Sequence, residues 1–216
     1  PAIHAEFARQ TRQQISYTAL YAEPDAFERM VQKFHESGGR GMNVTLPFKH
    51  RAYALAQDRT PRAEEAQAVN TLSFVPGGVA GDNTDGVGLV RDLTINLGCN
   101  LLGRRVLLMG AGGASYGVCG PLLDAQPAAL VVANRTIDKA QALCAHFGAK
   151  RKDASLLSAT GYAALNGQTF DLVINANMDH VPSLNAIFTT PVHGPFLSSC
   201  RLMIPHDLHE TGQCGL

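Results

Sequence analysis

Apolar positions in the first forty residues recur at helical spacing twice and alternate once. Ile3 and Phe7, following Pro1 at a first helical position, mark an opening helix over "AIHAEFARQTRQ". Phe27, Met30, Val31 and Phe34 share a stripe of a second helix from Pro24 to Ser37, closed by Gly38 and Gly39. Between them "ISYTALYA", Ile15 to Ala22, predicts a strand. Next come a strand "GMNVT", a helix from Pro47 to about Asp58 and a short helix near Ala63 to Gln67. Two extended segments flank Pro76-Gly77-Gly78 as a hairpin would, and Asp85 to about Leu97 returns to helical spacing. Such alternation predicts a mostly parallel sheet covered on both faces.

A second α/β unit comes next. "RRVLLMG" is a continuous apolar run bounded by Gly103 and Gly110, the pattern of a strand buried on both faces. "ASYGVCGPLLDA" reads as a helix, "AALVVANRT" as a strand, "IDKAQALCAHFG" as a helix and "TFDLVINA" as a strand. The composition shifts between Gly86 and Gly98, which predicts two domains, residues 1–85 and 86–216.

Charge narrows the partners. Eighteen basic residues balance eighteen acidic ones, and no basic run exceeds Lys150-Arg151-Lys152, so no nucleic-acid partner is expected. No stretch reaches the roughly 18 to 20 apolar residues of a membrane span, and "PAIHAEFARQ" lacks a signal-peptide layout; no membrane association and a cytoplasmic location are expected. The cysteines, Cys99, Cys119, Cys144, Cys200 and Cys214, are odd in number and contain no C-x-x-C pair, so they read as reduced packing thiols.

Candidate chemistry lies at two strand ends. "GAGGAS" places Gly110, Ala111, Gly112, Gly113, Ala114 and Ser115 between a buried strand and a helix, where glycines let a pyrophosphate approach a helix N-terminus. The spacing approximates G-x-G-x-x-G with Ser115 in the third glycine's place, and alone it would equally serve a structural turn. The next strand ends in Asn134-Arg135-Thr136, where a carboxylate would select NAD; an arginine pairs with a 2′-phosphate, which favours NADP. Lys139 adds a second positive charge on the same face if the helix starts at once, although Arg135 and Lys139 also fit a solvated face beside Asp138.

The other strand end carries Asn43, Thr45 and Lys49. Read singly, Lys49 fits a surface lysine, and Asn43 and Asn70 fit backbone-capping asparagines. Together, however, "NVTLPFK", "AVNT", "GDNTDGVG", "GAGGAS" and "NRT" resemble the shikimate dehydrogenase family, in order and at family-like spacings, over roughly residues 1 to 176. The resemblance implies an α/β substrate domain followed by a Rossmann-type doubly wound domain that binds NADP. It implies reversible reduction of 3-dehydroshikimate to shikimate in aromatic amino-acid biosynthesis, by a monomer or homodimer. By the same resemblance Lys49 and Asp85 form the catalytic pair, and Asn43, Thr45, Lys49, Asn70 and Asp85 bind the substrate. Elementary chemistry agrees: a hydride reaching a carbonyl carbon builds negative charge on oxygen, which requires a proton donor or cation within reach. Two rival readings are an NAD-using quinate/shikimate dehydrogenase and a non-catalytic relative that retains nucleotide binding.

The sequence departs from the family at both ends. "PAIHAEFA" matches the segment just after the family's first strand and S-x-S turn, so that strand is expected to be missing. After Ala176 the family's Thr-Ser pair is replaced by Asn177-Met178, and a divergent tail is expected. Within it "HDLHE", His206 to Glu210, has two histidines three apart and no third ligand, so no metal site is expected.

Overall fold

A computed structural model describes residues 1–177 and the backbone of Leu202 and Met203. The chain divides into two compact units, Pro1–Arg40 and Gly41–Leu216. Expectations for the tail, including His206 to Glu210, lie outside the described residues.

In the first unit, α1 (Ala2–Thr11) ends where Arg12 takes a left-handed conformation. A 3₁₀ turn, Pro24–Ala26, leads into α2 (Phe27–Glu36), which buries Phe27 and Val31 of the predicted stripe. Gly38 at φ +92° breaks this helix in the region that favours glycine. The strand expected at 15–22 does not form: the segment is irregular, and Ile15, Leu20 and Tyr21 are exposed. Alternation supplies a face but no hydrogen-bonding partner, and a strand without a neighbour has unpaired backbone groups.

The second unit contains two sheets. The smaller joins β1 (Gly41–Asn43), β2 (Asp58–Arg59), β3 (Thr71–Val75) and β4 (Gly78–Asp82) in the order β1-β3-β4-β2. Here the expected parallel arrangement is corrected. β1 and β4 both run antiparallel to β3, and only the two-residue β2 is parallel to its neighbour β4. The tight turn between β3 and β4, with Gly77 at φ +101°, dictates antiparallel pairing however many helices lie nearby. Helices α3 (Lys49–Leu55) and α4 (Pro61–Ala66) connect these strands.

After β4 comes α5 (Asp85–Arg91), which continues as a π-helical turn, Asp92–Asn96. In the larger sheet β5 (Arg105–Met109), α6 (Gly113–Asp124), β6 (Ala129–Ala133), α7 (Ile137–Gly148) and β8 (Leu172–Asn175) match the sequence pattern, and β7 (Leu157–Thr160) and β9 (Leu202–Met203) are strands it did not predict. Its strands are all parallel, in the order β7-β6-β5-β8-β9. Val106, Leu108, Leu130, Val132, Leu172 and Ile174 pack with α5, α6 and α7 on one face. The alternate residues Leu107, Met109, Val131 and Val173 pack with Leu165 and Phe170 on the other. Burial on both faces is why these strands read as unbroken apolar runs.

The basic run is absorbed locally. Arg151 pairs with Glu65, Asp124 and Asp153, with Asp153 foremost in holding its guanidinium above the ordinary value. Cys99, Cys119 and Cys144 are free thiols; burial pushes Cys119 far up and Cys144 to about 11, which disfavours the thiolate at both. Among the described residues no helix is long and apolar enough to cross a membrane.

Candidate active site

Lys49 is the first residue of α3, so the turn after β1 delivers its side chain to the end of the smaller sheet. Asp85 is the first residue of α5, three positions after the end of β4 at Asp82. Thirty-six positions apart, they meet: Lys49 Nζ donates to Asp85 Oδ2 at 2.7 Å, with side chains 12% and 28% exposed. The pair is sheltered yet reachable. Asn70 Nδ2 donates to the other carboxylate oxygen, Oδ1, at 2.7 Å, and to Thr84 Oγ1 at 3.0 Å. Asn70 Oδ1 accepts from Thr71 Oγ1 at 2.9 Å, and Asn43 Nδ2 donates to that hydroxyl at 3.2 Å. The network therefore runs Lys49, Asp85, Asn70, Thr71, Asn43. Thr45 is exposed, two residues after Asn43, and its carbonyl accepts from the N–H of Phe48.

Two residues unremarked in the sequence hold this arrangement. Asn83 is buried; its Nδ2 donates to the Ala68 carbonyl and its Oδ1 accepts from the N–H of Asp85 at 3.2 Å. Asp82 accepts from Thr60 Oγ1, from the Arg62 guanidinium and from the N–H of Asn83, and Arg62 foremost holds its carboxyl below the usual range. A polar run after a strand reads as an ordinary turn, and only the fold shows these side chains pointing inward.

The glycine loop begins where β5 ends. Gly110 has φ +106°, and its N–H donates to the Ala133 carbonyl at 2.8 Å, which ties the loop to the end of β6. Asn177 lies against it: a β-carbon on Gly110 would fall 2.8 Å from Asn177 Oδ1. Gly112 is the N-cap of α6, and the first intrahelical bond runs from Tyr116 N–H to the Gly112 carbonyl. The N–H groups of Gly113, Ala114 and Ser115 thus precede it, at the positive end of a twelve-residue helix. A β-carbon on Gly112 would meet nothing within 4 Å, and the buried Ser115 Oγ has no hydrogen-bond partner among the described residues. Open space before free donors fits a phosphate.

Arg135 and Thr136 lie just past β6, on the same sheet edge, because β5 and β6 are parallel with Met109 opposite Ala133. Asn134 Nδ2 donates to the Thr136 carbonyl at 2.8 Å and shapes this turn. Helix α7 begins only at Ile137, so Arg135 precedes it and the condition under which it would share a helical face with Lys139 is not met. Both side chains are exposed.

A glycine loop on a parallel sheet, beside a lysine–carboxylate pair from a second sheet, points to the class of α/β oxidoreductases. Comparison with known proteins narrows the class. Residues 1–72 match the shikimate dehydrogenase substrate binding domain, and residues 93–188 match shikimate / quinate 5-dehydrogenase. A shikimate dehydrogenase (NADP(+)) of Aromatoleum aromaticum is 50% identical over 93% of this chain and 77% of its own. Among solved structures, an Ael1 enzyme from Pseudomonas putida is 46% identical with a TM-score of 0.74, covering 82% of this chain and 64% of that one. Shikimate 5-dehydrogenase from Thermus thermophilus, in complex with NADP(H) and shikimate, is 31% identical with a TM-score of 0.69, covering 82% of this chain and 62% of that one. The chain belongs to the shikimate dehydrogenase family. It spans less than two thirds of those two solved chains.

Proposed function

We propose that this protein is an NADP-dependent shikimate dehydrogenase that reversibly reduces 3-dehydroshikimate to shikimate in aromatic amino-acid biosynthesis. The observation that carries the reading is the 2.7 Å bond between Lys49 and Asp85, beside free N–H groups at the start of α6. In this reading residues 1–85 bind substrate and 86–216 bind NADP, in a cytoplasmic monomer or homodimer.

When bound, NADPH supplies the hydride. Lys49 Nζ faces the substrate carbonyl, offsets the negative charge that develops on its oxygen and delivers the proton that completes the hydroxyl. In the reverse direction the amine takes that proton back. Asp85 holds the ammonium in place through Oδ2, and the Asn70 bond to Oδ1 fixes the carboxylate in turn. Asn43, Thr45, Asn70 and Asp85 offer the donors and acceptors that a polyhydroxylated ring requires once water is excluded. Gly110 to Ser115 would hold the pyrophosphate, and Asn134, Arg135, Thr136 and Lys139 would hold the 2′-phosphate.

The test is NADPH formation from NADP+ and shikimate, run beside quinate and NAD+. Turnover of shikimate with NADP+ preferred is expected. Preference for NAD+ and quinate would favour the quinate/shikimate branch, and NADP+ binding without turnover would reduce the protein to a nucleotide-binding relative.

A further inference from the structure

Beside the catalytic lysine stands a histidine that the mechanism above leaves unused. His50 comes directly after Lys49 on α3 and is exposed. Its ring is oriented by one firm contact, between Nδ1 and the Gln67 carbonyl at 2.8 Å. A carbonyl only accepts, so Nδ1 carries a proton and donates it. The far nitrogen, Nε2, finds no hydrogen-bond partner among the described residues. It points at the start of α6: a β-carbon placed on Gly113 would lie 3.3 Å from it, tighter than ordinary contact. Glycine at 113 and histidine at 50 thus let α3 approach the helix terminus closely.

We infer that His50 is a further cofactor-holding residue, donating from Nε2 to the phosphates of the dinucleotide at the start of α6. The inference rests on the dinucleotide reading of the glycine loop. Doubly protonated, imidazole presents an N–H at each nitrogen, and the Gln67 carbonyl already occupies one of them. The remaining N–H adds a charge-assisted donor to the free N–H groups of residues 113 to 115, from the opposite wall. Nearby cations are otherwise engaged: Lys49 with Asp85, and Arg51 over the Phe48 ring at 5.6 Å. The first turn of α6 itself brings no ionisable side chain before Tyr116.

The test is calorimetric titration of NADP+ and of NAD+ into the wild type, His50→Leu and His50→Gln, with Arg135→Ala as reference. The pyrophosphate is common to both nucleotides, so His50→Leu should weaken both about tenfold, whereas Arg135→Ala weakens NADP+ alone. His50→Gln, with an amide N–H in reach, should recover most of the loss. Phosphorus NMR of bound NADP+ should show the pyrophosphate signals moved by His50→Leu and the 2′-phosphate signal unmoved. Unchanged affinity in both variants, or loss confined to NADP+, overturns the assignment. A wild type that binds neither nucleotide overturns the dinucleotide reading itself, which separates the two failures.

Discussion

Lys49→Ala gives the sharpest test of the proposed chemistry. In the folded protein the ammonium lies 2.7 Å from Asp85 Oδ2, with both side chains partly shielded from water. At an effective dielectric of about 20, two charges at that distance attract by about 6 kcal/mol. Most of this is offset by withdrawing them from water, and Asp85 keeps the Asn70 donor after the change, so folding stability should fall by only about 1–2 kcal/mol. Catalysis should suffer more. Loss of a positioned proton donor typically slows the chemical step about 10²- to 10⁴-fold, or about 3–5 kcal/mol of barrier. The assay is steady-state NADPH formation with saturating shikimate, paired with a urea melt and NADP+ titration of the same variant. The expected result is kcat reduced at least a hundredfold in a protein that is folded and binds NADP+ within about threefold of the wild type. A kcat within tenfold of the wild type would refute the role given to this ammonium.

Further changes probe the surroundings. Arg135→Ala should lower the preference for NADP+ over NAD+ about tenfold, read as the ratio of the two kcat/KM values, because one exposed charge-assisted contact is lost. Asp82→Asn should cost about 0.5–1.5 kcal/mol at neutral pH, discounted because the Arg62 side chain is 41% exposed. Because the folded carboxyl sits below its unfolded value, its contribution is full above the unfolded value and fades as pH falls through the folded one. The gap in urea midpoint between wild type and Asp82→Asn should therefore close on acidification; a constant gap would argue against the ion pair as its source. Gly86→Ala should cost about 1–3 kcal/mol, because its β-carbon would press on the Gly117 carbonyl and lie 2.7 Å from Pro121 Cγ, a change that a denaturant melt resolves.

The larger sheet was readable from the chain because each of its inner strands is buried on both sides, and burial leaves a mark on every residue from Val106 to Met109 and from Leu130 to Ala133. Strand direction in the smaller sheet leaves no such mark. "GMNVT" is the same string whether its neighbour runs up or down, and the hairpin at Gly77 decided the matter. The segment 15–22 alternates as a strand should, but pairing is a property of two segments and its own letters describe one. In the site, Lys49 and Asp85 were legible through motifs that resemble a family, and geometry then brought them together. Asn83, Asp82 and His50 were not, since a buried asparagine, a bridging aspartate and an oriented histidine look in sequence like their solvent-exposed counterparts.

The crossing of α5 and α6 bears on how this protein could be recombined. A β-carbon on Gly86 would strike the Gly117 carbonyl of α6, and one on Gly117 would crowd the Asn83 amide at 3.1 Å, so the two helices pack closely one residue from Asp85. A chimera spliced between residues 85 and 86 would keep Gly86 with Gly117 but part Gly117 from Asn83, and Asp85 from the rest of the helix it begins. A parent with a side chain at position 117 would then press on the Asn83 amide, whose Oδ1 holds the N–H of Asp85, even with every motif intact. Exchangeable modules in this architecture should be cut to keep residues 83 to 86 and the first turns of α6 from the same parent.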